Sequence, residues 1–351
     1  MADVSQLPYP TWADIMNNYS SSDTNAMWLN AARVLDRKTP LLTILPMIPS
    51  NNVLDNVASR TDSLPVPGTR RFNEGVTTTT SKNTPLRDPI AMWEDYSDVD
   101  LAELEFQRNP TQWRMDQDAN HLEGFRQLME STLIYGNLAY DTGSFNGLAT
   151  RFNNLESFPN GDQSWVPNVW NNGQTSGNST SIWAVEFGPE KVYGIYPGNS
   201  QGGLMVRDLG ERTKEYAAST NGSAPYATKK LQVQTTHLRW CMGIQVQDER
   251  CVQRIANINP TGFSGPNGFD ENVLIEALTY LPGGGDDPST VILVNRGMKA
   301  QIDIRAVSQK INGYYTQNVE TGDIWGKRVT RFQGIPILMD EKILNTEVPV
   351  S

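Results

Sequence analysis

The sequence predicts an α+β body that carries one long helix, a projecting polar hairpin and an extended N-terminal arm. Three observations point there. "NPTQWRMDQDANHLEGFRQLMESTLIYGN" is a capped and terminated helical pattern of unusual length. "LPVPGTRRFNEGVTTTTSKNTPLRDP" sets two extended polar runs about a turn. "SIWAVEFGPEKVYGIYP" alternates cleanly into two strands, and "TVILVN" is a short continuous apolar run.

The bulk numbers fit such a body. At 351 residues the chain can hold roughly two domains of ~150 residues, and 38% apolar with 19% charged residues is the composition of a folded protein. Glycine (28) and proline (21) imply many turns. A net charge of −10 argues against a dedicated nucleic-acid binder, because neutralising phosphates requires clustered Lys and Arg. It does not exclude a protein that encloses nucleic acid without gripping it. No basic segment followed by an apolar run opens the chain, and no stretch approaches a membrane span, so a soluble cytoplasmic product is expected. Cys241 and Cys251 are the only cysteines and read as reduced structural thiols, and the sequons at Asn18, Asn178 and Asn221 as chance matches.

Along the chain, "SDTNAMWLNAARVLDR" offers Ser22 or Asp23 as a cap, with Met27, Trp28, Ala31, Ala32 and Leu35 at helical spacing. "TPLLTILPMIP" follows. Pro40, Pro46 and Pro49 forbid one long helix there, and residues 1–60 are read as an extended arm lying across another surface, its own chain's or another's. A hairpin comes next, turning at Asn73, Glu74 and Gly75. Almost no apolar face belongs to it, and an isolated two-stranded ribbon is marginal in water, so it needs a platform. In the long helix Asn109 caps and Pro110 takes the first position. Leu122, Phe125, Met129 and Thr132/Leu133 form one stripe, and Gly136-Asn137 stops it. From Pro110 to Tyr135 it would run roughly 39 Å at ~1.5 Å per residue.

Beyond it, "SIWAVEFGPEKVYGIYP" reads as a hairpin about Gly188-Pro189. "LRWCMGIQVQDERCVQRIANI" is mostly extended, with Ile244 and Val246 facing opposite to Gln245 and Gln247. "TVILVN" is a buried strand feeding the helix "RGMKAQIDIRAVSQK". "VTRFQGIPILMDEKIL" gives two strands kinked at Gly334-Ile335-Pro336.

No catalytic constellation survives inspection. His121 and His237 are the only histidines, too few for a His/Cys zinc site, and nothing beyond spacing supports a dyad of His237 and Cys241. "DQDANHLEG" (116–124) begins like a calcium loop, but His121 replaces the needed glycine and Gln127 the needed glutamate. "PGGGDDP" (282–288) lacks the lysine and hydroxyl of a phosphate loop. Glu94 and Asp95, between Trp93 and Tyr96, resemble the carboxylates of a glycosidase cleft. As neighbours on an extended segment they point to opposite faces and cannot share a site. No enzyme activity, cofactor or metal is expected.

An ordered series of segments resembles the major capsid proteins of tailed double-stranded-DNA bacteriophages. The series opens with "LIYGNLAYDTGSFNGLATRFNNL" (133–155) and continues through "SIWAVEFGPEKVYGIYPGNSQGGLMVRDLGER" and "WCMGIQVQDERCVQRIANI". "TVILVNRGMKAQID" and "FQGIPILMDE" close it. It spans roughly residues 60–345, and its specificity lies in the order of the set.

This resemblance implies the Hong Kong 97 (HK97) fold. Its arm would be residues 1–60, its projecting loop (E-loop) 61–100 around a hairpin at Leu64–Asp95, and its peripheral domain 101–180, with the spine helix at 110–135. The axial domain would be 181–351, holding the 181–197 hairpin and interleaved peripheral strands. The opening module then becomes a junction setting the angle between strut helix and body. The resemblance further implies pentamers and hexamers of the chain that form an icosahedral head around the genome and later expand. Partners would be other copies, scaffolding and portal proteins, and in some systems a decoration protein. DNA would be enclosed without sequence recognition, the virion shell would be the location, and assembly would occur in the host bacterial cytoplasm. Arg70, Arg71, Val76, Thr77, Thr78, Thr79, Thr80, Lys82 and Arg87 are the expected inter-subunit contacts. Lys82 is a loop lysine, but no assisting glutamate or partner asparagine can be placed, so no self-made crosslink is expected. A tail-tube subunit and a carbohydrate-active hydrolase are the alternative readings.

Overall fold

A computed structural model describes residues 40–155, 168–175, 177–198, 204–217, 228–262, 267–311 and 331–351. The helix expected after Ser22 lies outside them. The elements in order are α1 (Leu41–Ile44), β1 (Met47–Pro49), β2 (Asp55–Ser63), β3 (Lys82–Pro89), β4 (Ala91–Asp100), α2 (Leu101–Phe106), α3 (Pro110–Tyr135) and α4 (Leu148–Arg151). There follow β5 (Val169–Asn171), β6 (Thr180–Glu186), β7 (Val192–Tyr196), β8 (Leu204–Ala217) and β9 (Thr228–Val246). The last are β10 (Val252–Ile258), α5 (Glu271–Thr279), β11 (Thr290–Val294), α6 (Arg296–Ile311), β12 (Arg331–Phe332) and β13 (Ile335–Met339). The described residues divide into two compact units: 93–125 with 204–217 and 228–240, and the remainder.

The larger unit is built on a six-stranded sheet ordered β12-β13-β11-β6-β10-β5. Every residue of β6, β10 and β11 is buried, which is why β11 reads as a continuous apolar run, whereas β6 and β10 also bury polar side chains. Helices α5 and α6 cover the sheet. Leu274, Ala277 and Leu278 of α5 and Met298 and Ile302 of α6 pack with Ile182, Ile255, Ile292 and Val294. Each of these Leu, Ile, Val and Met side chains contributes about 1.5–3 kcal/mol by leaving water. Asp270 caps α5 by accepting from the Asn272 amide at 2.9 Å. In a second sheet β7 lies between β1, parallel, and the end of β9, antiparallel.

The smaller unit is a long antiparallel ribbon of β8 and β9, running from Leu204↔Trp240 to Ala217↔Thr228 with a bulge at Asp208/Gly210. β4 also pairs with β9, and the first part of α3 belongs to this unit. Its apolar cluster is small: Val99, Leu104 and Trp113, with Leu101 against them.

Three sequence expectations need correction. The segment 181–197 is not a hairpin of paired strands: β6 enters the six-stranded sheet between β11 and β10, and β7 enters the other. Only a bridge at Phe187↔Val192 and a turn with Glu190 at φ 64° connect them. Both strands are apolar on both faces, so each finds neighbours in its own sheet. The projecting hairpin is paired lower than expected, with β2 against β3 from Asp55↔Pro89 to Ser63↔Lys82. Residues 64–81 make no ladder, since Pro65 and Pro67 remove donors from one run. Its turn stands where expected, with Asn73 at φ 65° and Glu74 N–H donating to Arg71 O at 3.2 Å. Near the C-terminus, the β12–β13 turn sits at Gln333-Gly334, both at positive φ (49° and 87°), one step before Ile335.

Candidate assembly elements

The hairpin is rooted in the larger unit by polar side chains. Asp88 is buried and accepts from Arg151 Nη2 at 2.5 Å, and the same guanidinium donates through Nε to Asn146 O at 2.9 Å. Burial nevertheless pushes the Asp88 carboxyl above its ordinary range, with Arg151 opposing. Asn56 donates to Gln245 Oε1 at 3.3 Å, Gln247 donates to Ser59 O at 3.3 Å, and Arg60 pairs with Glu249 at 3.0 Å. Beyond this root the loop reaches into solvent. Arg70, Arg71, Val76, Thr77, Thr78, Thr79, Thr80, Lys82 and Arg87 are all exposed, gathered on this one hairpin. Their intrachain partners are few: Arg70 Nε donates to Glu74 O, Thr79 Oγ1 to Val66 O, and Arg87 pairs with Asp55 at 3.1 Å. The tip is more apolar than its sequence suggested. Phe72 is 101% exposed and Leu64 and Val66 more than three-quarters exposed.

The junction after α3 is a close backbone crossing. Gly147 N–H donates to Gly136 O at 2.8 Å, and Thr150 Oγ1 donates to the same oxygen at 2.6 Å. A Cβ on Gly136 would meet Phe145 O and Thr132 O at 2.5 Å, and one on Gly147 would meet Gly136 N and Ile134 O at 2.7 Å. These two glycines exist for close approach, not for turn conformation. Phe145 and Leu148 are fully buried beside them, whereas Tyr140 is exposed.

Two buried polar clusters went unread in the sequence. Arg254 donates to Ser181 Oγ at 3.0 Å, to Phe152 O at 2.6 Å and to Glu347 Oε2 at 3.0 Å, with its guanidinium 4.9 Å from the Trp183 ring. Tyr135 Oη donates to Glu347 Oε1, and burial with the Glu347 charge pushes the phenol upward. Glu347 is also bridged to Ser179 through the backbone, so this cluster straps the C-terminal segment to the sheet. In the second cluster Glu130 of α3 accepts the amides of Leu41 and Leu42 and faces Asp340 at the end of β13.

In the smaller unit, α3 meets the ribbon through charges. Arg114 forks onto Asp208 at 3.0 and 2.6 Å and reaches Thr236 Oγ1 at 2.8 Å, and Thr236 donates to Asp118 at 3.0 Å. Asp98 accepts from Thr235 at 2.6 Å and from Lys214. Glu94 and Asp95 point to different partners, as expected of adjacent strand residues. Asp95 lies 2.6 Å from His121 Nδ1, while Glu94 lies 3.7 Å from His237 Nε2 and 3.9 Å from Arg239. His237 stacks on Tyr96 at 4.7 Å. The calcium-like stretch 116–124 is interior helix. Among the described residues no group of three or more His, Cys, Asp or Glu could hold a metal ion, and no helix is long and apolar enough to cross a membrane.

Against known proteins, the family model described as major capsid protein GP7 matches residues 23–351. The solved structure of bacteriophage epsilon15 aligns over 100% of this chain and 99% of its own, at 24% identity and a TM-score of 0.65. The bacteriophage JBD30 capsid covers 95% and 98%, at 12% identity and a TM-score of 0.47. The SrpI encapsulin complex of Synechococcus elongatus covers 70% and 94%, at 11% identity and 0.41. No curated protein matches.

Proposed function

The chain belongs to the major capsid protein GP7 family, and on that premise we propose how its parts build a shell. It is a shell-forming capsid protein with the HK97-like fold of phage capsids, and its family is a structural one. In the proposed assembly, copies close into rings of five and six, and the rings close into an icosahedral head around double-stranded DNA. The β2–β3 hairpin acts as the E-loop, α3 as the spine of a peripheral domain (101–180), and residues 181–351 as the axial domain with the β8–β9 ribbon interleaved from the peripheral part. The residues before β2 serve as the arm. Arg70, Arg71, Val76, Thr77–Thr80, Lys82 and Arg87 make the contacts to a neighbour. Scaffolding, portal and decoration proteins complete the list of partners, with assembly in the host cytoplasm and no catalytic activity.

The observation that carries this reading is the hairpin itself. Residues 64–81 hold no ladder, and Leu64, Val66 and Phe72 stand in water. Solvent-facing apolar groups on a slender projection are a cost in a monomer and become contact area once a second copy covers them. Deleting Val76–Lys82 tests it by electron microscopy and circular dichroism. A soluble, folded chain that builds no normal shells is expected, and normal shells from the deletion variant would refute the assignment.

A further inference from the structure

We propose that Glu130 and Asp340 form a proton-dependent latch that fastens the segment Leu41–Ile44 to the body and frees it as pH rises. Both carboxyls are 0% exposed. Glu130 Oε1 accepts the Leu41 amide at 2.7 Å and Oε2 the Leu42 amide at 3.0 Å, so one side chain satisfies two first-turn donors of α1 from 89 positions away. Asp340 is held at the end of β13, its amide donating to Val294 O at 2.8 Å and its Oδ1 accepting from Lys342 N at 2.8 Å. Its Oδ2 is buried with no donor. A proton on Glu130 supplies that donor, and the carboxyl group then ties α1, α3 and β13 together.

With both groups ionised, two negative charges face each other in a site closed to water, where repulsion is least screened. Of the other charged groups nearby, Lys342 relieves it in part. Lys342 extends its Nζ to Gln127 Oε1 at 3.0 Å, and Glu341 adds a further negative charge while pairing with Arg296. Burial, then the charge of Asp340, raises Glu130 above the ordinary carboxylate range, and burial raises Asp340. A carboxyl raised in the folded state binds more protons there than in the open state. Its hold on α1 is therefore complete at low pH and lost when rising pH takes the last proton from the pair, above the ordinary carboxylate range.

The test is hydrogen–deuterium exchange of the full chain at pH 6, 7, 8 and 9, corrected for intrinsic exchange, read on the peptide holding Leu41 and Leu42. In the unmutated protein, protection there should fall at least tenfold from pH 6 to 9 while β11 peptides hold theirs. Asp340→Asn should keep protection at pH 9. Glu130→Gln should lower protection at every pH and flatten its pH dependence. Protection unchanged within twofold across the series would overturn the latch, as would a loss shared by β11. Asp340→Asn loosening the segment as much as Glu130→Gln would also overturn it. The pH series alone decides the matter if either variant fails to fold.

Discussion

Removing the carboxylate of Glu347 should be among the most damaging single changes in the chain. Its side chain is 5% exposed and that of Arg254 4%, so neither charge can turn to water when the other is lost. Glu347→Ala strands the guanidinium and deprives Ser181 Oγ, which donates at 2.5 Å, and the Tyr135 hydroxyl of their acceptor. Breaking a buried pair in this way costs about 3–5 kcal/mol. At a urea dependence of about 3 kcal/mol per M, the unfolding midpoint falls by about 1–1.7 M. The assay is urea denaturation of the unassembled chain followed by tryptophan fluorescence, run as a double-mutant cycle with Arg254→Met. Methionine keeps an unbranched apolar stem against Trp183 and removes the orphaned charge. The double variant should therefore be more stable than the sum of the singles by about 2 kcal/mol. A cost below about 1 kcal/mol for Glu347→Ala, or strict additivity in the cycle, would refute the view of the pair as a closed charge-compensated unit.

Gly147→Ala and Gly136→Ala each force a methyl group onto backbone at the junction and should cost about 1–3 kcal/mol in the same assay. Loss of less than about 0.5 kcal/mol would mean that the crossing relaxes freely. Phe72→Asp at the hairpin tip should leave unfolding within about 0.5 kcal/mol of the parent, because the ring touches no core. It should nonetheless cut shell yield, and equal yield would remove Phe72 from the contact. Chelation, His121→Ala and His237→Ala should leave assembly intact, and a stoichiometric metal found by elemental analysis of the purified chain would contradict that.

Local rules recovered the elements whose signals are local. α3 begins at Pro110 and ends at Tyr135 as its cap, proline, stripe and Gly136 dictate, and β11 and α6 follow from an apolar run and a helical period. Partner choice was less visible. β6 and β7 looked like a hairpin because sequence adjacency and strand content cannot reveal that both flanks of β6 are claimed by β10 and β11. The stripe read along α3 says nothing of its polar face, where Arg114, Asp118 and His121, at helical spacing, meet Asp208, Thr236 and Asp95. The Arg254–Glu347 pair spans 93 positions, and its members look like any surface Arg and Glu until the sheet forms around them. The residues proposed as contacts lie on the hairpin, whose polarity and prolines set it apart in the sequence, and all of them are exposed. The exposure of Phe72 went unread, because an aromatic within a polar run is ordinarily read as inward-facing.

Shell formation is decided by electron microscopy of the chain expressed alone and with its neighbouring genes, after size separation. Angular closed shells, or free rings of five and six copies, are expected. Stacked tubes or filaments in both preparations would contradict it in favour of a tail-tube subunit. A small monodisperse species in both would contradict shell formation altogether.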